Sequence, residues 1–560
     1  MGALAGAHRS EGTPALSNLR TYAEPSAADV IVIGAGINGL AITREAARRG
    51  LSIVMIDQDD IAARTSAISS RLIHGGLKYL ERLEIPLVFE SIRERNILLR
   101  TAPHLVHPYP MLIPFTKNGS RPGWLLSCGL IFHDVLSIGK KLPLNRIVFS
   151  RGLKRDFPGI AAGGVKWGGL FQDAHVPVTE RFAVEIAIDA ARNGATILTH
   201  TPVLSMIHEG GRVAGVIYRD RETGEQRSLR APVVINAAGP WVDSVLDLDG
   251  DHERKIGPTK GSHLVVDAFP TAPDQCIFFE SPDDNRPMFV LPWHNGKYML
   301  GTTDLPYDES IDEIIADGDE TEYLLRAVNT ILPGAKLTSA DVLWSYSGVR
   351  PLPYVADLTD PSSVTRDSEI VAHKGASSGL FTLIGGKYTT HRALGVQALK
   401  VIEKALGVPH KRSNTDTLPF PGAPTISVDE FRERFVRSSP LPARTADRLA
   451  AVYGELAWEI AALAAADSRL TEVVDDETGA IAAELVYAVR EEGAVTLEDI
   501  LLRRTTIALN SDVGLSPAPR AAVVLTEHVG WTQELAAEEL ARYRHAVRRF
   551  APRALESEQV

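Results

Sequence analysis

Gly34-Ala35-Gly36-Ile37-Asn38-Gly39 is the first segment whose residue types and spacing imply chemistry. Gly34 permits a tight turn, Gly36 lets the backbone approach a pyrophosphate, and Gly39 lets a helix pack on a strand. Asp57, about twenty residues on, suits the hydroxyls of an adenosine ribose. Thr65, Ser66 and Ser70 stand in a hydroxyl-rich loop able to hold a pyrophosphate or a ring edge. His74-Gly75-Gly76 then removes side chains where a flat ring would approach the backbone. The glycine motif alone does not separate FAD from NAD. The hydroxyl-rich segment does help, because an NAD enzyme continues there with ordinary strand–helix alternation.

The elements that must position these groups are legible. Residues 29–33 and 51–56 are short, β-branched and apolar throughout, as strands buried on both faces are, and a helix over 40–49 is stopped by Gly50. Val233 to Trp241 repeats the pattern, a strand ending on small residues around Gly239. Residues 379–392 repeat it again, breaking at Gly385-Gly386 before Lys387 and a helix beginning near Thr389. A helix N-terminus there suits a developing negative charge, such as the edge of a reduced flavin. A nucleotide domain assembled from separated pieces follows, within a region 29–407. Residues about 255–345 alternate short strands with turns, giving a mostly antiparallel substrate sheet. A Pro-rich linker, 408–426, leads to a helical domain, 427–560, with a capping box at Ser427 and one apolar stripe through Leu449, Tyr453, Leu456, Ile460 and Leu463. Further helices fit 479–492, 496–504, 518–529 and 532–549, in a structural or dimer-forming role. Residues 1–28 read as a flexible tail rather than a signal peptide.

Composition narrows the class. The 560 residues are 44% apolar and 23% charged, with a formal net charge of −11, so a large globular protein without a nucleic-acid-binding field is expected. Cys128 and Cys276 cannot build a disulfide framework or a metal site, and both read as packing residues in a reducing compartment. His104 and His107 lack metal-ligand context, and no metal is expected. No 18-residue apolar run crosses a membrane; residues 124–141, apolar and ending in Lys140-Lys141, fit either an interfacial or a buried core helix.

The ordered motifs Ile-Gly-Ala-Gly-Ile-Asn-Gly, Thr-Ser-Ala-Ile-Ser-Ser-Arg-Leu-Ile-His-Gly-Gly-Leu-Lys-Tyr-Leu-Glu, Asn-Ala-Ala-Gly-Pro-Trp, Lys-Gly-Ser-His, Leu-Gly-Thr-Thr-Asp, Tyr-Ser-Gly-Val-Arg-Pro-Leu, Thr-Arg-Asp and Gly-Gly-Lys-Tyr-Thr-Thr together resemble the respiratory FAD-dependent glycerol-3-phosphate dehydrogenase family, from about residue 29 to 545. The resemblance implies a two-domain α/β FAD fold related to glutathione reductase and D-amino acid oxidase, with an antiparallel-sheet substrate domain and a C-terminal helical domain. It implies non-covalent FAD and oxidation of sn-glycerol 3-phosphate to dihydroxyacetone phosphate, by hydride transfer from the secondary alcohol carbon to flavin N5. Electrons then pass to quinone, or to oxygen in oxidase branches. A cytoplasmic protein, peripheral on the inner face of the membrane, and a homodimer are the corresponding expectations.

A phosphorylated polyol needs fixed cations, and Arg350, Arg366, Lys387 and Lys260 flank the flavin motifs, with Tyr79 and Lys78 beside them. The hydroxyl proton needs a base, either His263 or His74. Three departures stand out. Lys78 replaces the family's Arg and loses its bidentate fork, His391 replaces a Tyr, and an Asp-x-x-Val-Asp-Asp-Ala-Arg run survives only as Asp173, Val176 and Arg181. Two other readings share the cofactor: a flavin amine or 2-hydroxyacid oxidase, and a flavin-retaining binding protein without turnover.

Overall fold

The computed structural model describes the chain apart from residues 1–18, 20–24, 81–82, 118, 138–141, 221–222, 251, 357–363, 365–366 and 557–560. A six-stranded sheet organises the nucleotide region. Val30–Ile33 lies between Val233–Asn236 and Ile53–Ile56, all parallel. Thr196–Leu198 extends one side and Leu380–Ile384 the other, with Glu369–Ala372 as the single antiparallel edge. The three central strands are buried at every residue, which is why they read as unbroken apolar runs. The first helix spans Ile37–Arg48, so it begins inside the glycine motif rather than at Leu40, and Gly36 is its N-cap. A Cβ at Gly39 would overlap the Gly34 carbonyl oxygen, so helix and turn touch only because Gly39 has none.

The second sheet is larger than residues 255–345 suggested. Thr259–Val266 pairs antiparallel with Tyr298–Gly301 and Val342–Arg350, and the sheet continues through Pro287–Pro292 and Cys276–Glu280. It then recruits His107–Pro114, Trp167–His175 and Leu72–Ile73 from the first third of the chain. His107 thus starts a strand.

The stretch 408–426 is pinned to the body. The Phe420 N–H donates to the Thr101 carbonyl at 2.7 Å, the Gly422 N–H donates to Glu185 at 2.9 Å, and the Phe420 ring is buried in the core. Ser427 caps the helix Val428–Ser438 by accepting the Glu430 N–H at 3.2 Å. The apolar stripe is broken at Gly454, which joins Ala443–Tyr453 to Ala457–Ala466 with φ at +55°; Leu449, Tyr453, Leu456 and Ile460 are all buried. Ala443–Ala466 is also the one helical stretch, among the described residues, apolar and long enough by composition to cross a membrane, and 56% of its most apolar window is buried.

The helix Gly123–Leu136 covers most of the stretch 124–141 and is only partly buried. It buries Leu130 and His133 but exposes Trp124, Leu125, Ile131, Phe132 and Val135. A core helix would hide such residues, so this one presents an apolar face. Lys140 and Lys141 lie outside the described residues.

Candidate active site

The two sheets enclose a cavity of about 1590 Å³. Asp57, Thr201, Trp241 and Gly239 line it beside the glycine turn. The Asp57 carboxylate accepts the backbone N–H of Ala35 at 2.5 Å and of Asp59 at 2.8 Å; burial nevertheless pushes it up to about 6. Gly34, at φ +113°, closes the turn beneath the Ala237 carbonyl. Gly36, Asn38, Thr65 and Ser66 line the next stretch. The Ser66 hydroxyl accepts the Ile37 N–H at 2.9 Å, and Thr65 donates to the Val349 carbonyl at 3.0 Å, so the hydroxyl-rich loop straps the helix start to the second sheet.

The far end gathers Ser70, His74, Gly76, Tyr79, Arg350, Gly385, Gly386, Lys387 and Thr389. Arg350 donates to Asp304 at 2.9 Å, to Thr302 at 3.2 Å and to the Thr303 carbonyl at 3.1 Å, and keeps 25% of its side chain exposed. Gly261 makes room for its guanidinium. The Lys387 ammonium lies 4.4 Å from the Tyr79 ring centroid and 3.6 Å from Asp367. Gly75 stands behind the cavity wall, packed on Arg95.

The two candidate bases are unlike. His263 is buried, stacked on Tyr346 at 4.8 Å, with Nε2 2.8 Å from the Ser70 hydroxyl. Burial, reinforced by Arg350 and Arg71, pushes it down to about 3, so it is a neutral imidazole. The His74 side chain is 51% exposed and opens into the cavity. Its backbone N–H donates to the Thr389 hydroxyl at 3.0 Å.

Several residues stand elsewhere than the sequence reading placed them. Lys260 is not among the lining residues: its ammonium pairs with Glu320 at 2.6 Å. Side chains alternate along a strand, so Gly261 and His263 face the cavity while Lys260 and Ser262 point away. His391 is buried against Phe182, its Nδ1–H donating to the Tyr388 carbonyl at 2.7 Å, and burial pushes it down to about 3. Its departure from the family pattern therefore falls in the core. Cys128 is exposed and lines the cavity's apolar arm, correcting its reading as a packing residue; Cys276 is buried. Arg366 lies outside the described residues, as does the Lys78 side chain.

Sequence reasoning missed Asp304 and Arg71. Asp304 closes the Leu-Gly-Thr-Thr-Asp segment, and that motif was its only signal. Arg71 is buried in a bidentate pair with Glu180, both contacts 2.7 Å, and nothing local to the sequence links the two. Among the described residues, Asp60, His200 and Asp499 lie close enough to ligate a metal, but the Asp60 carboxylate already holds Arg503 and Arg504.

The donor set fits a flavin dinucleotide. The helix begins at the cavity wall with no side-chain cap from Gly36, the buried Asn38 Oδ1 lacks a partner, and a Cβ at Gly386 would fill the space in front of Asn38. The chain belongs to the FAD-dependent oxidoreductase family, whose model, FAD dependent oxidoreductase, matches residues 29–392. Residues 413–536 match the C-terminal domain of alpha-glycerophosphate oxidase. The chain is 39% identical to the glycerol-3-phosphate dehydrogenase of Synechocystis sp., covering 92% of this chain and 96% of that protein. It is 37% identical to the D-erythritol 1-phosphate dehydrogenase of Brucella abortus, over 90% and 98% of the two chains. The solved glycerol-3-phosphate dehydrogenase of Bacillus halodurans, complexed with FAD, is 25% identical with a TM-score of 0.76, covering 93% and 95%.

Proposed function

We propose that the protein is a quinone-linked, FAD-dependent dehydrogenase that oxidises sn-glycerol 3-phosphate to dihydroxyacetone phosphate. The observation that carries this reading is the continuity of one cavity from the nucleotide turn to Arg350 and Lys387, with His74 opening between them. Gly34, Gly36, Asn38, Ser66 and Asp57 hold the dinucleotide, and Gly385-Gly386 with Thr389 bound its ring. FAD, when bound, supplies the acceptor for the hydride leaving C2. Arg350 and Lys387 hold the phosphate, Arg350 with its fork aimed by Asp304. His74 takes the hydroxyl proton, because its side chain is half-exposed in the cavity, whereas His263 is buried in the wall with its Nε2 at the Ser70 hydroxyl and is weakly basic. Ser70 and His263 shape the wall beside it.

Anaerobic bleaching of the flavin by glycerol 3-phosphate tests the reading; no bleaching with glycerol 3-phosphate, or equal bleaching by an amino or hydroxy acid, would overturn it. Gly36→Val should leave the purified protein colourless, because its side chain occupies the path of the pyrophosphate. D-erythritol 1-phosphate is the second substrate to test, since a dehydrogenase named for it is 37% identical over 90% of this chain.

The exposed apolar face of Gly123–Leu136 suits a lipid surface, and its Leu125, Cys128 and Phe132 also line the cavity, which gives a quinone an apolar approach. Ile131→Glu should weaken binding to phospholipid vesicles by about tenfold, the worth of one buried apolar side chain, while leaving flavin bleaching by substrate unchanged. Co-sedimentation checks this.

A further inference from the structure

His74 is flanked by a buried carboxylate. Asp173, on the strand Trp167–His175, is 1% exposed, and its Oδ2 lies 3.7 Å from His74 Nδ1. Its other oxygen accepts the Gly75 N–H at 2.7 Å and an Arg95 Nη1–H at 3.0 Å. Arg95 is itself fully buried in the helix Ile85–Thr101 and donates to the Gln172 carbonyl at 3.0 Å. His133 Nε2–H, from the helix Gly123–Leu136, donates to the Gly75 carbonyl at 2.9 Å. The backbone at His74 and Gly75 is thus tied to three elements, at Thr389, Asp173 and His133, while the His74 side chain lines the cavity.

We infer that Asp173 is a positioning residue for His74. A carboxylate on the Nδ1 side favours the tautomer with the proton on Nδ1, which leaves the Nε2 lone pair for the substrate hydroxyl. Once the hydroxyl proton has moved to Nε2, the imidazolium charge faces Asp173. Asp173 is held in place by Arg95 and the Gly75 amide, so closing the 3.7 Å gap falls to the half-exposed His74 ring. Both groups otherwise have ready structural explanations: Asp173 as the partner of a buried arginine, His74 as a half-exposed wall residue. Both also line the one cavity that Arg350 and Lys387 line. The inference rests on His74 as proton acceptor, so the experiment separates the two.

The test is a double-mutant cycle of D173N and H74Q, reading the rate of anaerobic flavin reduction per bound flavin with glycerol 3-phosphate. H74Q should slow reduction by about a hundredfold or more, the ordinary weight of a general base. D173N should slow it by about tenfold with KM and flavin content little changed, D173E should fall between D173N and the native rate, and D173N should add nothing in the H74Q background. An equal loss from D173N in both backgrounds would overturn the inference and leave Asp173 a structural partner of Arg95. A native rate in H74Q would overturn the reading of His74 itself, and this inference with it. If D173N fails to retain flavin, D173E carries the cycle, since it keeps a carboxylate for Arg95; its loss must again vanish in the H74Q background or the inference fails.

Discussion

Two regions of this protein place cationic side chains beside carboxylates, and they do so in opposite ways. Where the helical unit meets the nucleotide region, Asp60 accepts Arg504 twice at 2.7 Å and Arg503 at 2.8 Å. His200 lies 2.8 Å from Asp499, and Arg181 reaches Glu492 at 2.5 Å. The side chains of Asp60, Arg504, Arg181 and Glu492 are at most 1% exposed. In the cavity, Arg350 and Lys387 keep 25% and 14% of their side chains open, and the Asp367 beside Lys387 is 56% exposed. Charges in the joint are enclosed by their partners; charges in the cavity keep a face toward solvent. Charged side chains are thus locked or left available according to whether their surroundings are closed.

The sharpest way to break this contrast is at the joint. Arg504→Met takes two of the three arginine contacts from the buried Asp60 carboxylate, leaving Arg503 alone, and should cost about 3 kcal/mol, read by denaturant unfolding followed through the flavin signal. A loss near zero would mean that the joint opens to water. The cavity should respond in rate rather than stability. Arg350→Leu or Lys387→Leu removes a charge-assisted contact worth roughly 1.5–3 kcal/mol, so kcat/KM for glycerol 3-phosphate should fall by at least about tenfold, with flavin content and unfolding midpoint retained. Turnover of unphosphorylated glycerol should change much less, and Arg350→Lys should not restore the full rate, because the fork is lost.

The smallest effect should come from His200→Gln, about 1 kcal/mol, the ordinary worth of one hydrogen bond. Burial opposes a charge on His200, but Asp499 prevails and its pKa is raised; burial likewise opposes the Asp499 charge, but His200 and the arginines hold it well below the usual carboxylate range. A histidine with a raised pKa stabilises fully below its unfolded value and loses that contribution as pH rises through its folded value. Native and His200→Gln proteins should therefore differ most in mildly acidic solution and converge at alkaline pH, as melting temperatures across pH will show.

The local sequence determined the parts that depend on neighbours along the chain. Unbroken apolar runs set the parallel strands, because a strand covered on both faces has no polar side. Gly34, Gly36 and Gly39 set the nucleotide turn, because close backbone approach needs their missing side chains. The antiparallel region around Thr259–Val266 was legible for the same local reason, but its partners from His107–Pro114 and Trp167–His175 were not, since pairing across a hundred residues leaves no periodicity. Tertiary structure alone decided which charged and basic residues reach the cavity. Lys260 and His263 lie on opposite faces of one strand, so one motif sends its lysine to Glu320 and its histidine to the cavity wall. His74 and His263 look equivalent as letters, yet burial neutralises His263 and leaves His74 open beside Asp173. Desolvation and pairing are set by whatever packs around a group, and most of what packs around these two comes from strands and loops far away in the sequence.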